Sequence, residues 1–446
     1  MRAIIIGAGK VGYSIAQMLS LENHDVVLIE KNEERRRIVD QNLDVQTLGG
    51  NGASIKVLKQ AGVAEADLVI AVTEADELNL IACLIAKSFG VSRTIARVRN
   101  PEYMEITEEK ALDTFGVDLI INPERVAAQT IAKLVKFPEA ANVEYYAQGK
   151  VQLLELRLSE KAPVAYTKLR NLRLPHPFLI VAILRNEKMI IPRGDDILYP
   201  EDLIFVIAKT TEMLDIEKLL GTTHTDIKSV IILGGGRLGI YLASLLEKKN
   251  LSVKIIDKDL NQCRRCVESL QNVLVINGDG TDLTLLEEED TGSTDLFVAA
   301  TGDDKVNLLV SLLAKHLGAK KTIAQIRRSD YASLVEKVGV DITISPRVLT
   351  AETILKFIRK GDIVSVSLLG GAKAEMLEFI APENSIIVNK PLRTLKFPVG
   401  AIIGAISRQE KVIIPSGDDL ILTGDHVIVF ALPEAIKKVE TFFLEA

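Results

Sequence analysis

Ile4-Ile5-Ile6-Gly7-Ala8-Gly9-Lys10-Val11-Gly12 is the stretch on which the fold turns. Three branched apolar residues read as a short buried strand, and Tyr13 to Leu21 reads as the helix that follows. Between them, Gly7, Gly9 and Gly12 keep the G-x-G-x-x-G spacing. In such a turn the first glycine allows the tight bend and the second lets backbone approach a pyrophosphate. The third permits close helix–strand packing. The helix start then offers free N–H groups and partial positive charge to an anion. A lone motif of this kind also occurs in ordinary tight turns, so the neighbouring residues have to decide. Asp25 to Glu30 is a second strand ending in an acid, eighteen residues past Gly12, where a dinucleotide fold holds the ribose hydroxyls.

Strand–helix alternation continues from there. Asn32 to Asn42 reads as a charged helix, and Val45 to Leu48 as a strand leading into Gly49-Gly50-Asn51-Gly52. Ser54 to Ala61 is a helix, Asp67 to Val72 a strand, Glu77 to Phe89 a helix, and Thr94 to Val98 and Leu119 to Ile121 strands. Alternation at these lengths predicts a parallel sheet with right-handed crossovers. Beyond about Val143 the pattern becomes hairpin-rich. Strands are expected over Val151–Leu158, Leu179–Arg185, Lys188–Ile191 and Leu203–Ala208, with turns at Asn186-Glu187 and Pro192 to Asp196.

Then the chain starts again. Ser229 to Gly239 reads S-V-I-I-L-G-G-G-R-L-G, and Val253 to Asp257 ends in an acid. The first glycine and the acid both recur 227 residues on, at Gly234 and Asp257, and I-I-P-x-G-D-D recurs at Ile413 to Asp419. So long a period means duplication of a two-domain unit. The expected fold class is α/β, with two Rossmann-like doubly wound parallel-sheet domains, each followed by a small α+β module. The expected domains are 1–138, 139–222, 228–360 and 361–446, with His224 and its threonine neighbours in a polar linker.

Composition excludes several classes. A net charge of −6 argues against a nucleic-acid surface, and no apolar run reaches the ~18 residues of a membrane span. Gly7, Gly9 and Lys10 break the opening apolar run too early for a signal peptide, so a cytoplasmic protein is expected. Tryptophan is absent, and Val, Ile and Leu must fill the interior. Three cysteines give no disulfide framework. Cys83 reads as a core residue, and Cys263-x-x-Cys266 as a helix surface, with redox or metal roles as the alternative.

The candidate ligands follow from the sheet. Glu30 and Asp257 should accept ribose hydroxyls and repel a 2′-phosphate, which favours an NAD-like or ATP-like ligand. Gly7, Ala8, Gly9, Lys10, Val11 and Gly12 form the first phosphate cradle, and Gly234, Gly235, Gly236, Arg237, Leu238 and Gly239 the second. Lys10 and Arg237 share one slot, aimed at a phosphate or simply at solvent. Asn51 with Gly52, and Asp279 with Gly280, lie at the adenosine edge, with Ser54 as a helix cap. Thr73 with Glu74, and Thr301 with Gly302, end the fourth strands on the ligand side. Asp76 with Asn79, and Asp304 with Asn307, read as caps. Arg97 and Arg99 flank Val98 on one strand face, where the second half has Gln325 and Arg327. An Arg97 that meets phosphate would give the first half the more anionic ligand. Glu124 is matched by Arg347, so the halves should differ.

Catalytic machinery is what the pattern lacks. The five histidines share no constellation, no G-x-x-x-x-G-K-[ST] loop is present, and the hairpin modules are small for a substrate domain. The nucleotide is expected to be sensed and not consumed, with an NAD-dependent oxidoreductase as the enzymatic alternative.

The tandem glycine motifs, T-E-A-D-E-L-N at Thr73 to Asn79, A-R-V-R-N-P-E-Y at Ala96 to Tyr103 and the paired I-I-P-x-G-D-D modules together resemble the TrkA family. These are cytoplasmic regulatory subunits of Trk potassium uptake, built from tandem RCK/KTN modules, and the resemblance spans essentially the whole chain. It implies binding of NAD(H) or ATP/ADP, no enzymatic turnover, and assembly as a homo-oligomeric ring, dimer or tetramer. It also implies peripheral attachment through a membrane-embedded potassium-transporting Trk subunit. In related single-unit regulators an acid after the strand-end proline helps bind a metal, so Glu124 is the one weak metal candidate and Arg347 argues against a second. A free-standing sensor for another partner is the remaining alternative.

Overall fold

β1 (Arg2–Ile6) sits at the middle of its sheet because Ala3 to Ile6 can be buried on both faces, and each is at most 1% exposed. The computed structural model describes residues 1–21, 23–100, 102–105, 115–138, 140–172, 175–220, 227–327, 332–359, 363–369 and 373–444. The expected linker at His224 lies outside them, as does Pro101.

The glycine loop leads from β1 into α1 (Lys10–Leu21), followed by β2 (Asp25–Glu30), α2 (Glu33–Asn42), β3 (Gln46–Gly49) and α3 (Ile55–Gln60). Then come β4 (Leu68–Ala71), α4 (Asp76–Ser88), β5 (Arg93–Arg97), α5 (Glu102–Glu105), β6 (Leu119–Ile121) and α6 (Pro123–Lys136). The strands are parallel in the order β3-β2-β1-β4-β5-β6. This is the doubly wound order, and its switch point falls between β1 and β4, directly beside the glycine loop.

An antiparallel module follows: β7 (Ala140–Tyr146), β8 (Val151–Arg157), β9 (Phe178–Arg185), β10 (Lys188–Ile190), β11 (Leu203–Lys209) and α7 (Met213–Leu219), with sheet order β10-β9-β11-β8-β7. The turn between β9 and β10 puts Asn186 and Glu187 at φ 48° and 63°, the left-handed pair that matches strand twist in a two-residue hairpin. β7 was not expected. Its pairing with β8 shifts register between Ala140 and Asn142, which scrambles the period-two signal.

The second copy repeats this in β12 (Ser229–Leu233), α8 (Arg237–Glu247), β13 (Ser252–Asp257), α9 (Leu260–Ser269), β14 (Val273–Asn277) and α10 (Leu283–Glu288). It continues with β15 (Leu296–Ala299), α11 (Asp304–Leu317), β16 (Lys321–Gln325), α12 (Ala332–Val338), β17 (Ile342–Ile344) and α13 (Pro346–Arg359). The last module holds β18 (Ile363–Leu369), β19 (Ala374–Ile380), β20 (Ala401–Arg408), β21 (Lys411–Ile413), β22 (His426–Ala431) and α14 (Pro433–Glu440). Sheet orders β14-β13-β12-β15-β16-β17 and β18-β19-β22-β20-β21 reproduce the first pair.

Like packs with like. One compact unit joins residues 1–129 with 229–355, and the other joins 130–228 with 356–446. α6 and α13 carry the chain from the first unit into the second. Within the second unit a shared apolar core draws Val151, Leu153 and Phe205 from one module and Met376, Ile428 and Phe430 from the other. The rings of Phe205 and Phe430 lie 6.5 Å apart between centroids. Among the described residues, no helix is long and apolar enough to cross a membrane.

Candidate nucleotide-binding site

The three glycines of each loop answer to different constraints. Gly7 and Gly234 have φ of 103° and 107°, a region open to glycine and costly for other residues. A Cβ on Gly12 would stand 1.9 Å from the Gly7 carbonyl oxygen, and one on Gly239 2.0 Å from that of Gly234. The fold itself requires both pairs. At Gly9 and Gly236 a Cβ would meet no atom within 4 Å. The backbone is bare there and its outer side is open, which is the provision a closely approaching diphosphate needs.

Glu30 is only 5% exposed, and its carboxylate has a task the sequence reading missed. Oε2 accepts the Ala8 N–H at 2.7 Å and Oε1 the Asn32 N–H at 2.8 Å. Asp257 does the same for Gly235 at 2.7 Å and Asp259 at 2.8 Å. Each acid therefore ties its glycine loop to the end of the second strand. Each oxygen keeps a further lone pair for a hydroxyl.

Several expected caps are braces instead. The Asn79 Oδ1 accepts both the backbone N–H of Thr73 at 3.0 Å and its hydroxyl at 2.7 Å, while its Nδ2 donates to the Arg97 carbonyl at 2.8 Å. Asn307 repeats this with Thr301 and Gln325. Asp76 accepts the N–H groups of Arg99 and Asn100, both at 2.8 Å, and Asp304 accepts that of Arg327 at 3.0 Å. These side chains lock the exit of the fourth strand to that of the fifth. The side-chain cap of α11 is Asp303, accepting the Lys305 N–H at 2.8 Å. Ser54 stands at the cap position of α3 without a side-chain cap bond. The adenosine-edge residues tie up their own turns, Asn51 accepting the Ala53 N–H and Asp279 the N–H and hydroxyl of Thr281. Those two bonds hold the Asp279 carboxyl below its ordinary range.

Of the expected first-half ligands, all but Gly12 and Val98 line one cleft of about 1340 Å³. Gly12 is consumed by packing, and Val98 is fully buried in the core, on the strand face opposite Arg97 and Arg99. The second half also contributes to this cleft, through Gln325, Arg327, Ser345 and Arg347, which the sequence did not place there. The reciprocal approach is visible at Asn122, whose Nδ2 donates to the Tyr241 hydroxyl on α8 at 3.3 Å.

The cleft is rich in cations. The Arg97 guanidinium is largely buried, with Nη1 3.5 Å from the Thr73 carbonyl oxygen and Nε without a partner. Burial, and then Arg99, push its pKa down. Lys10 and Arg237 are exposed at their helix starts, and Lys10 lines the cleft. Arg99 forms an ion pair with Glu124, so the one weak metal candidate is engaged by a guanidinium. Among the described residues no three His, Cys, Asp or Glu side chains converge as metal ligands.

The cysteines correct one expectation and meet another. Cys83 is buried, and burial pushes its thiol up to about 12. Cys263 and Cys266 are not on a helix surface. They are 6% and 0% exposed, on the α9 face turned to the sheet, with Sγ atoms 3.3 Å from the Asp257 carbonyl oxygen and 3.4 Å from that of Gly235. Burial raises both thiols, Cys266 to about 11.

Comparison with known proteins agrees with this arrangement. The TrkA-N domain model matches residues 3–123 and 230–346, and the TrkA-C domain model matches 153–221 and 376–444. The chain belongs to the TrkA family. Among its relatives, Trk system potassium uptake protein TrkA homolog 1 of Methanosarcina mazei is 40% identical, over 99% of this chain and all of that one. The Trk system potassium uptake protein TrkA of Halomonas elongata is 36% identical, over 99% of this chain and 98% of that one. At the level of fold, the GsuK channel bound to NAD aligns with 99% of this TrkA-family chain and 78% of its own, with a TM-score of 0.64 at 18% identity.

Proposed function

We propose that this TrkA-family chain is a nucleotide-sensing regulatory subunit that binds NAD(H) or ATP/ADP and gates potassium uptake through a membrane-embedded Trk-type partner. The observation that carries the reading is the open space over Gly9 at a helix N-terminus, in a cleft that is also lined by the partly buried Arg97, whose Nε has no hydrogen-bond partner. An anion stabilised by helix dipole and guanidinium fits there. Glu30 and Asp257 would accept ribose hydroxyls with their remaining lone pairs, and Asn51 and Asp279 would border the adenosine. The chain would act on the inner face of the membrane as a homo-oligomeric ring. A nucleotide that favours one ring geometry over another does so through differential affinity, with ~1–3 kcal/mol of coupling typical. α6 and α13, continuous with the hairpin modules, would transmit the difference.

The test is potassium flux through the partner transporter reconstituted with wild-type, Gly9→Ala and Gly236→Ala protein, each with ATP, ADP and NADH. Loss of nucleotide response in at least one variant is expected. An unchanged response in both removes the proposal, and steady oxidation of NADH with a metabolite would favour an oxidoreductase.

A further inference from the structure

The cleft beside the first glycine loop is closed by the second half of the same chain. Arg347, at the start of α13, and Arg327, after β16, both line it together with Arg97 of the first half. Their settings differ. Arg327 is paired with Asp304 at 3.3 Å. Arg347 donates from Nη1 to the Arg327 carbonyl oxygen at 2.9 Å and, among the described residues, meets no carboxylate at ion-pair distance. Partial burial and repulsion by Arg327 outweigh the attraction of Asp304, so the pKa of Arg347 is pushed down as that of Arg97 is. Glu124, its counterpart in the first half, is already neutralised by Arg99. Two partly buried guanidinium groups from opposite halves thus face one cavity. Glu74, Asp76 and Glu124 near Arg97 and Asp304 near Arg347 offset part of the charge. Neither guanidinium has a carboxylate at ion-pair distance among the described residues, so an anion would complete the set.

We infer that the terminal phosphate of the nucleotide in the first cleft is held jointly by Arg97 and by Arg347 of the second half, so that this site selects by terminal-phosphate charge without a bridging divalent cation. The inference rests on the nucleotide reading above and goes beyond it in naming the selecting residue and the metal independence. A guanidinium donates in a fixed fork that suits phosphate oxygens, and it supplies the positive charge that a bound cation would otherwise bring. The α1 N-terminus would face the inner diphosphate common to ATP, ADP and NADH. Charge at the far end of the cleft then distinguishes the triphosphate from the other two.

The experiment is calorimetry on the full chain with ATP, ADP and NADH, each in EDTA and again in magnesium. The variants are Arg347→Ala and Arg347→Lys, with thermal melts to confirm folding. The wild type should bind ATP more tightly than ADP in EDTA. Arg347→Ala should weaken ATP on the order of ten- to a hundredfold, the loss of one charged hydrogen-bonding partner, and leave ADP and NADH within about threefold. Arg347→Lys should restore part of the preference. If the ATP-to-ADP ratio is the same in wild type and Arg347→Ala, or if wild-type ATP binding requires magnesium, the inference is wrong while the nucleotide reading stands. Binding of no nucleotide by the wild type overturns both.

Discussion

Gly9 and Gly12 are separated by two residues, yet alanine at each should have opposite consequences. A Cβ at Gly12 must displace the Gly7 carbonyl 1.9 Å away, so Gly12→Ala should cost about 1–3 kcal/mol in urea unfolding. Gly9→Ala meets open space and should hold its unfolding midpoint within about 0.5 kcal/mol while nucleotide affinity falls. Affinity retained by Gly9→Ala would count against the cradle. The thiols give a second residue-scale expectation. Cys83 and Cys266 have pKa values raised to about 12 and about 11, so the folded protein binds more protons than the unfolded chain once pH exceeds the ordinary thiol range near 9. Stability should therefore fall as pH rises from about 9 through 11 to 12, and alkylation at pH 8 should be slow until denaturant is added. Rapid native-state labelling of Cys266 would show that the face of α9 is open.

At the scale of elements, legibility followed the kind of signal. Strands such as β1, β2, β4 and β12 were readable because each carries a run of branched apolar residues, and the hairpin at Asn186-Glu187 because turn residues separate two apolar runs. β7 was not, because a register shift spoils its alternation. The braces at Asp76 and Asn79 were misread because a polar residue in the first turn of a helix looks like a cap whether it bonds its own helix or a neighbouring strand. The fork that closes each hairpin module left no local trace at all. Arg185 reaches Asp202 with bonds of 2.7 and 2.6 Å, and Arg408 reaches Asp425 with 2.9 and 2.8 Å. Both acids are nearly inaccessible, at 2% and 1% exposed. Asp202→Ala or Asp425→Ala should each cost about 3 kcal/mol by chemical denaturation, since the acid also holds the turn before its strand through Tyr199 or Leu422. A loss below about 1 kcal/mol would mean that the fork is ornamental.

For the whole molecule, a ligand that binds only the folded state raises stability by mass action. ATP or NADH at a hundred times its dissociation constant should add ~2.7 kcal/mol, seen as an upward shift of the melting curve. A fragment ending at residue 222 should behave differently from the full chain. It keeps Val151, Leu153 and Phe205 but loses Met376, Ile428 and Phe430, which complete their core. Light scattering should find it self-associated, and a stable monomer would contradict the shared core.

The tethering of two like halves in one chain has an evolutionary corollary. Two identical molecules meeting about a twofold axis must present the same residue from both sides, and every substitution is made twice. Here the two partners are tethered in one polypeptide, so each can drift alone. Glu124 and Arg347, opposite in sign at matching positions, are a difference that no homodimer of either half could show. Fusion has exchanged symmetry for the freedom to make one crevice unlike its twin.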